Sequence, residues 1–283
     1  MRNFVDLHTH STASDGSLAA GDVVRFAERK RLAAVALTDH DSIGGLTQAA
    51  RVAAGLGVRL VPGVEISAEF PGGTLHILGL GIDPSCPSLA RLLERMRHAR
   101  DERNPRMIAK LRGLGIAISM AEVRRFARDR GGGEVVGRLD MAGVLQAQGR
   151  VGSVAEAFDL YLGPNAPAFV GKERLAPRQA IDAIHQAAGL AVLAHPVHLN
   201  CPNARRLEHV VRSFVRDGLD GIEVYHSDHT DIQTRQYLDL ARRGGLLISG
   251  GSDFHGGGKP DVLLGRPRVP RAAVEQLLAK ITA

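Results

Sequence analysis

What most constrains this chain is a recurring arrangement in which short apolar runs stop at histidines or carboxylates, from one end of the sequence to the other. The first is Phe4-Val5-Asp6-Leu7-His8-Thr9-His10, with Asp15 five residues further on. Alternate residues of a strand point to the same side, so His8 and His10 project their imidazoles together. Four more segments end alike: Thr38-Asp39-His40-Asp41, Gly63-Val64-Glu65, Ala194-His195-Pro196 and Ser252-Asp253-Phe254-His255. Such strand ends, gathered in one chain, point to a site that holds several metal ions.

Between these ends, strand-like and helix-like segments alternate. Strand Asn3–Leu7 precedes a helix over Ala19–Arg31, with Val23, Val24, Phe26 and Ala27 on one face. Strand Ala33–Leu37 precedes a helix from Ile43 to Leu56, and strands Val58–Pro62 and Thr74–Leu80 follow. Later come helix Arg178–Ala188, strand Leu190–Ala194, helix Ala204–Asp217, strand Gly221–Val224, helix Asp231–Arg243, strand Leu246–Ser249 and helix Arg271–Ile281. About seven βα units with a parallel sheet predict an α/β chain closed into a (β/α) barrel. Such barrels carry their functional groups at C-terminal strand ends, and every candidate falls at such an end or in the loop beyond.

Residues 88–172 break this rhythm. They are mostly helical in pattern, rich in arginine (Arg91, Arg95, Arg97, Arg100, Arg103, Arg106, Arg112), and interrupted by Gly131-Gly132-Gly133. We expect a helical insertion, or cap, over the barrel mouth. The barrel would then comprise residues 1–87 and 173–283.

The 44% apolar content of the 283 residues excludes wholesale disorder. Cys86 and Cys201 make no disulfide framework. No apolar run approaches the ~20 residues that span a bilayer. No signal peptide is evident, and cleavage near the N-terminus would remove His8 and His10. The expectation is a cytoplasmic protein with no membrane association and no implied protein partner. A formal net charge of +6 suits an anionic substrate such as a phosphate ester or a nucleic acid end. Aromatics at 4%, without tryptophan, argue against a long single-strand platform.

Imidazole and carboxylate donors without cysteine suit Zn, Mn or Fe. Six of the twelve histidines fall at strand ends: His8, His10, His40, His76, His195 and His255. Joined by Asp15, Glu65 and Asp253, they form a nine-residue candidate set. A divalent cluster lowers the pKa of bound water and neutralises phosphoryl oxygens. The expected chemistry is therefore phosphoester hydrolysis by hydroxide generated at the metals. No G-x-S-x-G elbow is present. The runs Gly44-Gly45, Gly72-Gly73 and Gly256-Gly257-Gly258 lack the Gly-Lys-Ser/Thr of a phosphate loop.

These motifs, in this order, are those of a known family. The chain resembles the PHP (polymerase and histidinol phosphatase) family through Asp6-Leu7-His8-Thr9-His10-Ser11, Thr38-Asp39-His40-Asp41, Pro62-Gly63-Val64-Glu65-Ile66, Leu193-Ala194-His195-Pro196 and Gly251-Ser252-Asp253-Phe254-His255. The resemblance implies a distorted (β/α)7 barrel with a trinuclear centre. It implies that His8, His10, Glu65 and Asp253 hold one metal. Glu65 would bridge to a second, shared with His76 and His195, and Asp15, His40 and His255 would hold a third. Two or three divalent ions are expected, Mn first, with Fe or Zn as alternatives. Gly137-Arg138-Leu139-Asp140 departs from the Gly-Arg-Pro-His common in the nearest branch. Tyr225-His226-Ser227-Asp228-His229 keeps both histidines of that branch's Tyr-His-Pro-Asp-His, and Phe158–Gly163 with Ala168-Phe169-Val170 and Lys172 also resembles it.

Arg138 and Lys172 are the candidate phosphate contacts, since guanidinium and ammonium groups recognise phosphate. His226 is a candidate for binding phosphate or protonating the leaving oxygen; His198 and His229 are weaker candidates. Asp41 is expected to orient the His40 imidazole. The branch resembled includes enzymes acting on nucleoside 3′,5′-bisphosphates, and the resemblance implies release of the 3′-phosphate to leave a 5′-mononucleotide. The alternative it implies is 5′→3′ exonuclease action on short 5′-phosphorylated RNA or DNA oligonucleotides. A non-catalytic metal-binding module fits less well, because all nine candidate ligands are present.

Overall fold

Ala34-Val35-Ala36-Leu37 holds no polar residue and is buried on both faces, as a strand between a core and covering helices must be. It is one of eight strands in the computed structural model, which describes residues 2–129, 136–171 and 175–282. In chain order the elements are β1 (Phe4–Asp6), α1 (Ala20–Arg29), β2 (Ala34–Leu37), α2 (Leu46–Ala53), β3 (Arg59–Ala68), β4 (Leu75–Leu80), α3 (Pro87–Gly113), α4 (Met120–Asp129), α5 (Arg138–Ala147), α6 (Val154–Ala157), α7 (Pro177–Gln186), β5 (Leu190–Leu193), α8 (Ala204–Arg216), β6 (Gly221–Tyr225), α9 (Asp231–Gly244), β7 (Leu247–Gly250), β8 (Val269–Pro270) and α10 (Glu275–Thr282). Local chemistry sets several ends. Pro87 and Pro177 open α3 and α7, where a missing N–H costs nothing. The Asn203 side chain caps α8 and Thr230 caps α9. Gly245, at φ 65°, stops α9.

The sheet order is β7-β6-β5-β4-β3-β2-β1-β8. It rolls into a nearly closed barrel because the chain beyond β1 runs beside the chain beyond β7. Leu7 N–H donates to the Gly250 carbonyl (3.0 Å), Asp253 N–H to His8 (2.9 Å) and His10 N–H to Phe254 (2.9 Å). At the other end β8 lies antiparallel to β1. The seven-stranded barrel expected from the motifs is thus present, with β8 filling the lower part of the seam.

Two expectations need correction. The ring is not all parallel: β4 runs antiparallel to both β3 and β5. His76 consequently sits near the N-terminal end of its strand, and the reversal brings that end to the functional mouth. Glu65 is likewise not at a strand end. β3 continues past Pro62 to Ala68, pairing first with β2 and then, in hairpin fashion, with β4.

Apolar faces at helical spacing bind the helices to the barrel; in α1 these are Ala20, Val23, Val24 and Ala27. Fully burying a side chain such as Ile66, Ile77 or Leu78 contributes about 2 kcal/mol. A second apolar cluster, from Met107 through Met141 and Leu145 to Val170, lies apart from the barrel clusters. α3 joins them: Leu89, Leu93 and Met96 pack on the barrel, whereas Met107, Ile108 and Leu111 belong to the second cluster. Among the described residues no helix is long and apolar enough to cross a membrane.

Candidate metal centre

Three buried aspartates shape the mouth before any imidazole is considered. Asp6 accepts Ser252 N–H (2.8 Å) and Oγ–H (2.6 Å). Asp39 accepts Ser11 N–H (2.7 Å) and Oγ–H (2.7 Å). Asp41 accepts Ser67 N–H (2.9 Å) and Oγ–H (3.1 Å), and pairs with Arg100 from α3. Each serine belongs to a different strand or loop from its aspartate, so the same clamp ties neighbouring strand ends together. Asp41, next in sequence to the His40 it was expected to orient, thus ties Ser67 and α3 to the mouth. His195, Asp253 and Asp41 adopt positive φ (23°, 57° and 50°), strain that persists because the surrounding bonds over-determine these loops.

Onto this frame the structure brings all nine predicted residues. His8 Nε2 and His10 Nε2 face Glu65 Oε2 at 3.4 and 3.3 Å, and Asp253 Oδ1 at 3.4 and 3.0 Å. Four donors ~2.1 Å from a common centre would form a tetrahedron with edges of about 3.4 Å. The other Glu65 oxygen, Oε1, meets His76 Nδ1 at 2.8 Å and His195 Nε2 at 3.0 Å, with those two nitrogens 3.2 Å apart. Glu65 thus turns one oxygen to each of two ligand sets. Asp15, His40 and His255 make a third group with His10, in which Asp15 lies 3.2 Å from His255 Nε2 and 3.9 Å from His40 Nε2.

Buried polar atoms without hydrogen-bond partners include His8 Nε2, His10 Nε2, His40 Nδ1 and Glu65 Oε2. Unpaired buried polar atoms are costly, and atoms of this kind converging on common points fit divalent cations. Electrostatics agree. Burial disfavours charge on Glu65, Asp253 and Asp15, yet neighbouring histidines, and Lys259 beside Asp253, hold all three well below the usual carboxylate range. Burial pushes His10 and His195 down to about 3, leaving neutral imidazoles able to ligate. Against that same burial, Glu65 and Asp15 hold His40 up to about 9, and Glu223, Glu65 and Asp253 hold His8 well above its ordinary value. Protons on His8 and His40 stand where a metal's charge would.

Around this set are residues that the sequence reading missed. Glu223, in the middle of β6, accepts His195 N–H (2.8 Å) and lies 3.2 Å from His8 Nδ1. A carboxylate inside the apolar run Gly221–Val224 was the available signal. Lys259 Nζ lies 2.5 Å from Asp253 Oδ2; nothing in its glycine-rich loop marks it. His226 sits beside the set, its Nε2 3.7 Å from Asp253. Asp228 N–H donates to His226 Nδ1 (3.0 Å), which leaves the neutral ring's proton on Nε2. His229 bonds the Val224 carbonyl (3.0 Å) and His198 pairs with Asp228 (2.9 Å), so neither enters the set.

The centre opens into a cavity of about 240 Å³. It is lined by Asp15, His40, His76 and His255 together with Arg100, Arg103, Arg138, Phe158, Phe169 and Lys259. Arg138 lies over Phe158 (5.3 Å) and Phe169 (5.7 Å) and donates to the Leu162 carbonyl (3.2 Å). Asp140, where the branch commonly has histidine, accepts Gly137 N–H (2.8 Å) at the start of α5. Lys172 lies outside the described residues.

A model of the PHP domain matches residues 6–281. The chain is 37% identical over 255 residues to a 3′,5′-nucleoside bisphosphate phosphatase of Chromobacterium violaceum, covering 90% of this chain and 88% of that protein. It is 35% identical over 250 residues to a 5′-3′ exoribonuclease of Haemophilus influenzae, covering 88% and 89%. The structure of an amidohydrolase from Chromobacterium violaceum, with bound sulfate and no metal, superposes with a TM-score of 0.85 at 35% identity, covering 98% of this chain and 96% of that one.

Proposed function

This chain belongs to the PHP domain family, and we propose that it is the member that removes the 3′-phosphate from nucleoside 3′,5′-bisphosphates such as adenosine 3′,5′-bisphosphate. The observation that carries this reading is the cavity itself, lined by the metal-competent Asp15, His40, His76 and His255 together with Arg100, Arg103 and Arg138. A substrate with two separated phosphates matches a cavity that offers both metal ligands and arginines.

His8, His10, Glu65 and Asp253 would hold one divalent ion. His76 and His195 would hold a second with Glu65, and Asp15, His40 and His255 a third. Manganese is the first choice, with iron or zinc as alternatives. When bound, such ions activate water and neutralise the phosphoryl oxygens. The protein's own groups do the rest. Arg100, Arg103 and Arg138 receive the 5′-phosphate through charge-assisted hydrogen bonds, and we retain Lys172 as a further phosphate contact. As water adds to phosphorus, the bond to the 3′-oxygen breaks. That oxygen takes its proton from the attacking water, while His226, neutral with its proton on Nε2, donates a hydrogen bond to the phosphate. Glu223 and Asp253, opposing burial, raise the pKa of His226, which favours a donor. The free thiols Cys86 and Cys201 are consistent with a cytoplasmic location.

Purified protein with Mn²⁺ is expected to release phosphate from adenosine 3′,5′-bisphosphate much faster than from AMP. Equal rates on the two would sink recognition of both phosphates. A ladder of mononucleotides from a 5′-phosphorylated oligomer, faster than bisphosphate turnover, would transfer the assignment to exonuclease action.

A further inference from the structure

Asp253 uses its two oxygens for different purposes. Oδ1 faces His10 Nε2 (3.0 Å), His8 Nε2 (3.4 Å) and His255 Nδ1 (3.5 Å). Oδ2 is held by Lys259 Nζ at 2.5 Å. The lysine is placed rather than adrift. Its backbone N–H donates to Gly256 O (3.1 Å), and its carbonyl accepts Val262 N–H (3.0 Å). The same loop is anchored where Gly257 N–H meets Ser17 Oγ (2.7 Å). The side chain is only about one-third exposed (36%) and also lines the cavity.

We infer that Lys259 is a positioning residue and a resident counter-cation of the metal centre: it restricts Asp253 to one ligating oxygen and weakens the centre's hold on divalent ions. Two physical effects act in the same direction. An ammonium bonded to Oδ2 withdraws that oxygen from any cation on the histidine side. Its own positive charge, a few ångströms away, repels such a cation, which even with screening close to that of bulk water is worth a factor of about ten or more. A lysine that merely braced the loop would have the opposite signature, since its loss would loosen Asp253 and weaken metal binding.

The inference rests on the metal-centre reading above. The test is calorimetric titration of Mn²⁺ into chelator-stripped full-length protein, at one pH and ionic strength, with thermal unfolding recorded on the same samples. Lys259→Met is expected to bind Mn²⁺ about tenfold more tightly at unchanged stoichiometry, with Lys259→Arg within about twofold of the parent because it restores the charge. Lys259→Gln, which keeps a polar head, serves as the second charge-removing variant if the methionine variant does not unfold cooperatively. Unchanged or weaker Mn²⁺ binding in the folded charge-removing variant overturns the inference while leaving the centre intact. A parent protein that takes up no Mn²⁺ overturns the centre itself, and the role of Lys259 with it.

Discussion

Glu65 carries more of the centre than any other side chain, because its two oxygens face different imidazoles: His8, His10 and His40 on one side, His76 and His195 on the other. Glu65→Gln keeps the shape and removes the charge. It is expected to reduce phosphate release by about a thousandfold or more and to lower the bound metal content, both measurable on one preparation. Glu223→Gln tests the residue behind the imidazoles. Loss of its charge beside His8 Nδ1 should weaken metal binding by about 10- to 100-fold, read by titration, with secondary structure unchanged by circular dichroism. His8, His10 and Asp253 were legible in the sequence because ligand chemistry has few residue types. Lys259 and Arg100 were not, because one lysine or one arginine among 36 basic residues looks like surface.

At the scale of elements, the barrel depends on one close approach. A Cβ on Gly251 would come within 2.4 Å of His8 N and Cβ, so only glycine lets the chain after β7 lie against the chain after β1. Gly251→Ala should destabilise the protein by about 2–3 kcal/mol in urea unfolding and weaken Mn²⁺ binding as well, since the same seam positions His8 and Asp253. The β3–β4 hairpin shows why part of the topology escaped the sequence reading. With β3 ended at Pro62, the link to the next strand looked long enough to suit the parallel sheet expected. In the structure only residues 69–74 separate Ala68 from Leu75, and a link that short cannot make a parallel crossover. The apolar run Val64-Glu65-Ile66 was interrupted by the very glutamate the site needs, which hid the strand's continuation.

The whole molecule should register the site's charges in its pH stability. Without metal, His40 (about 9) and His8 bind protons more tightly folded than unfolded, where 6.5 is ordinary. The His40 contribution is complete below pH 6.5 and is lost as pH rises through about 9, on the order of 3 kcal/mol, and that of His8 is lost in the same direction. His10 and His195 (each about 3) act in the other limb, because the unfolded chain takes up protons below pH 6.5 that the folded state refuses. Glu223, at about 2, adds to the loss below pH 4.5. Chelator-treated protein should therefore be most stable near pH 6.5 in urea titrations; a stability still rising between pH 7 and 9 would contradict these assignments. Metal binding should release protons from His8 and His40 and tighten with pH over the same range. By itself the sequence determined the chemistry: a metal-dependent phosphoester centre on an α/β barrel, because ligand types and strand alternation are local properties. Tertiary structure alone decided the direction of β4, the clamps that hold the mouth, the placing of Glu223 and Lys259, and the arginines that line the same cavity as the centre. Those depend on which distant segments meet, and spacing along the chain does not encode that distance.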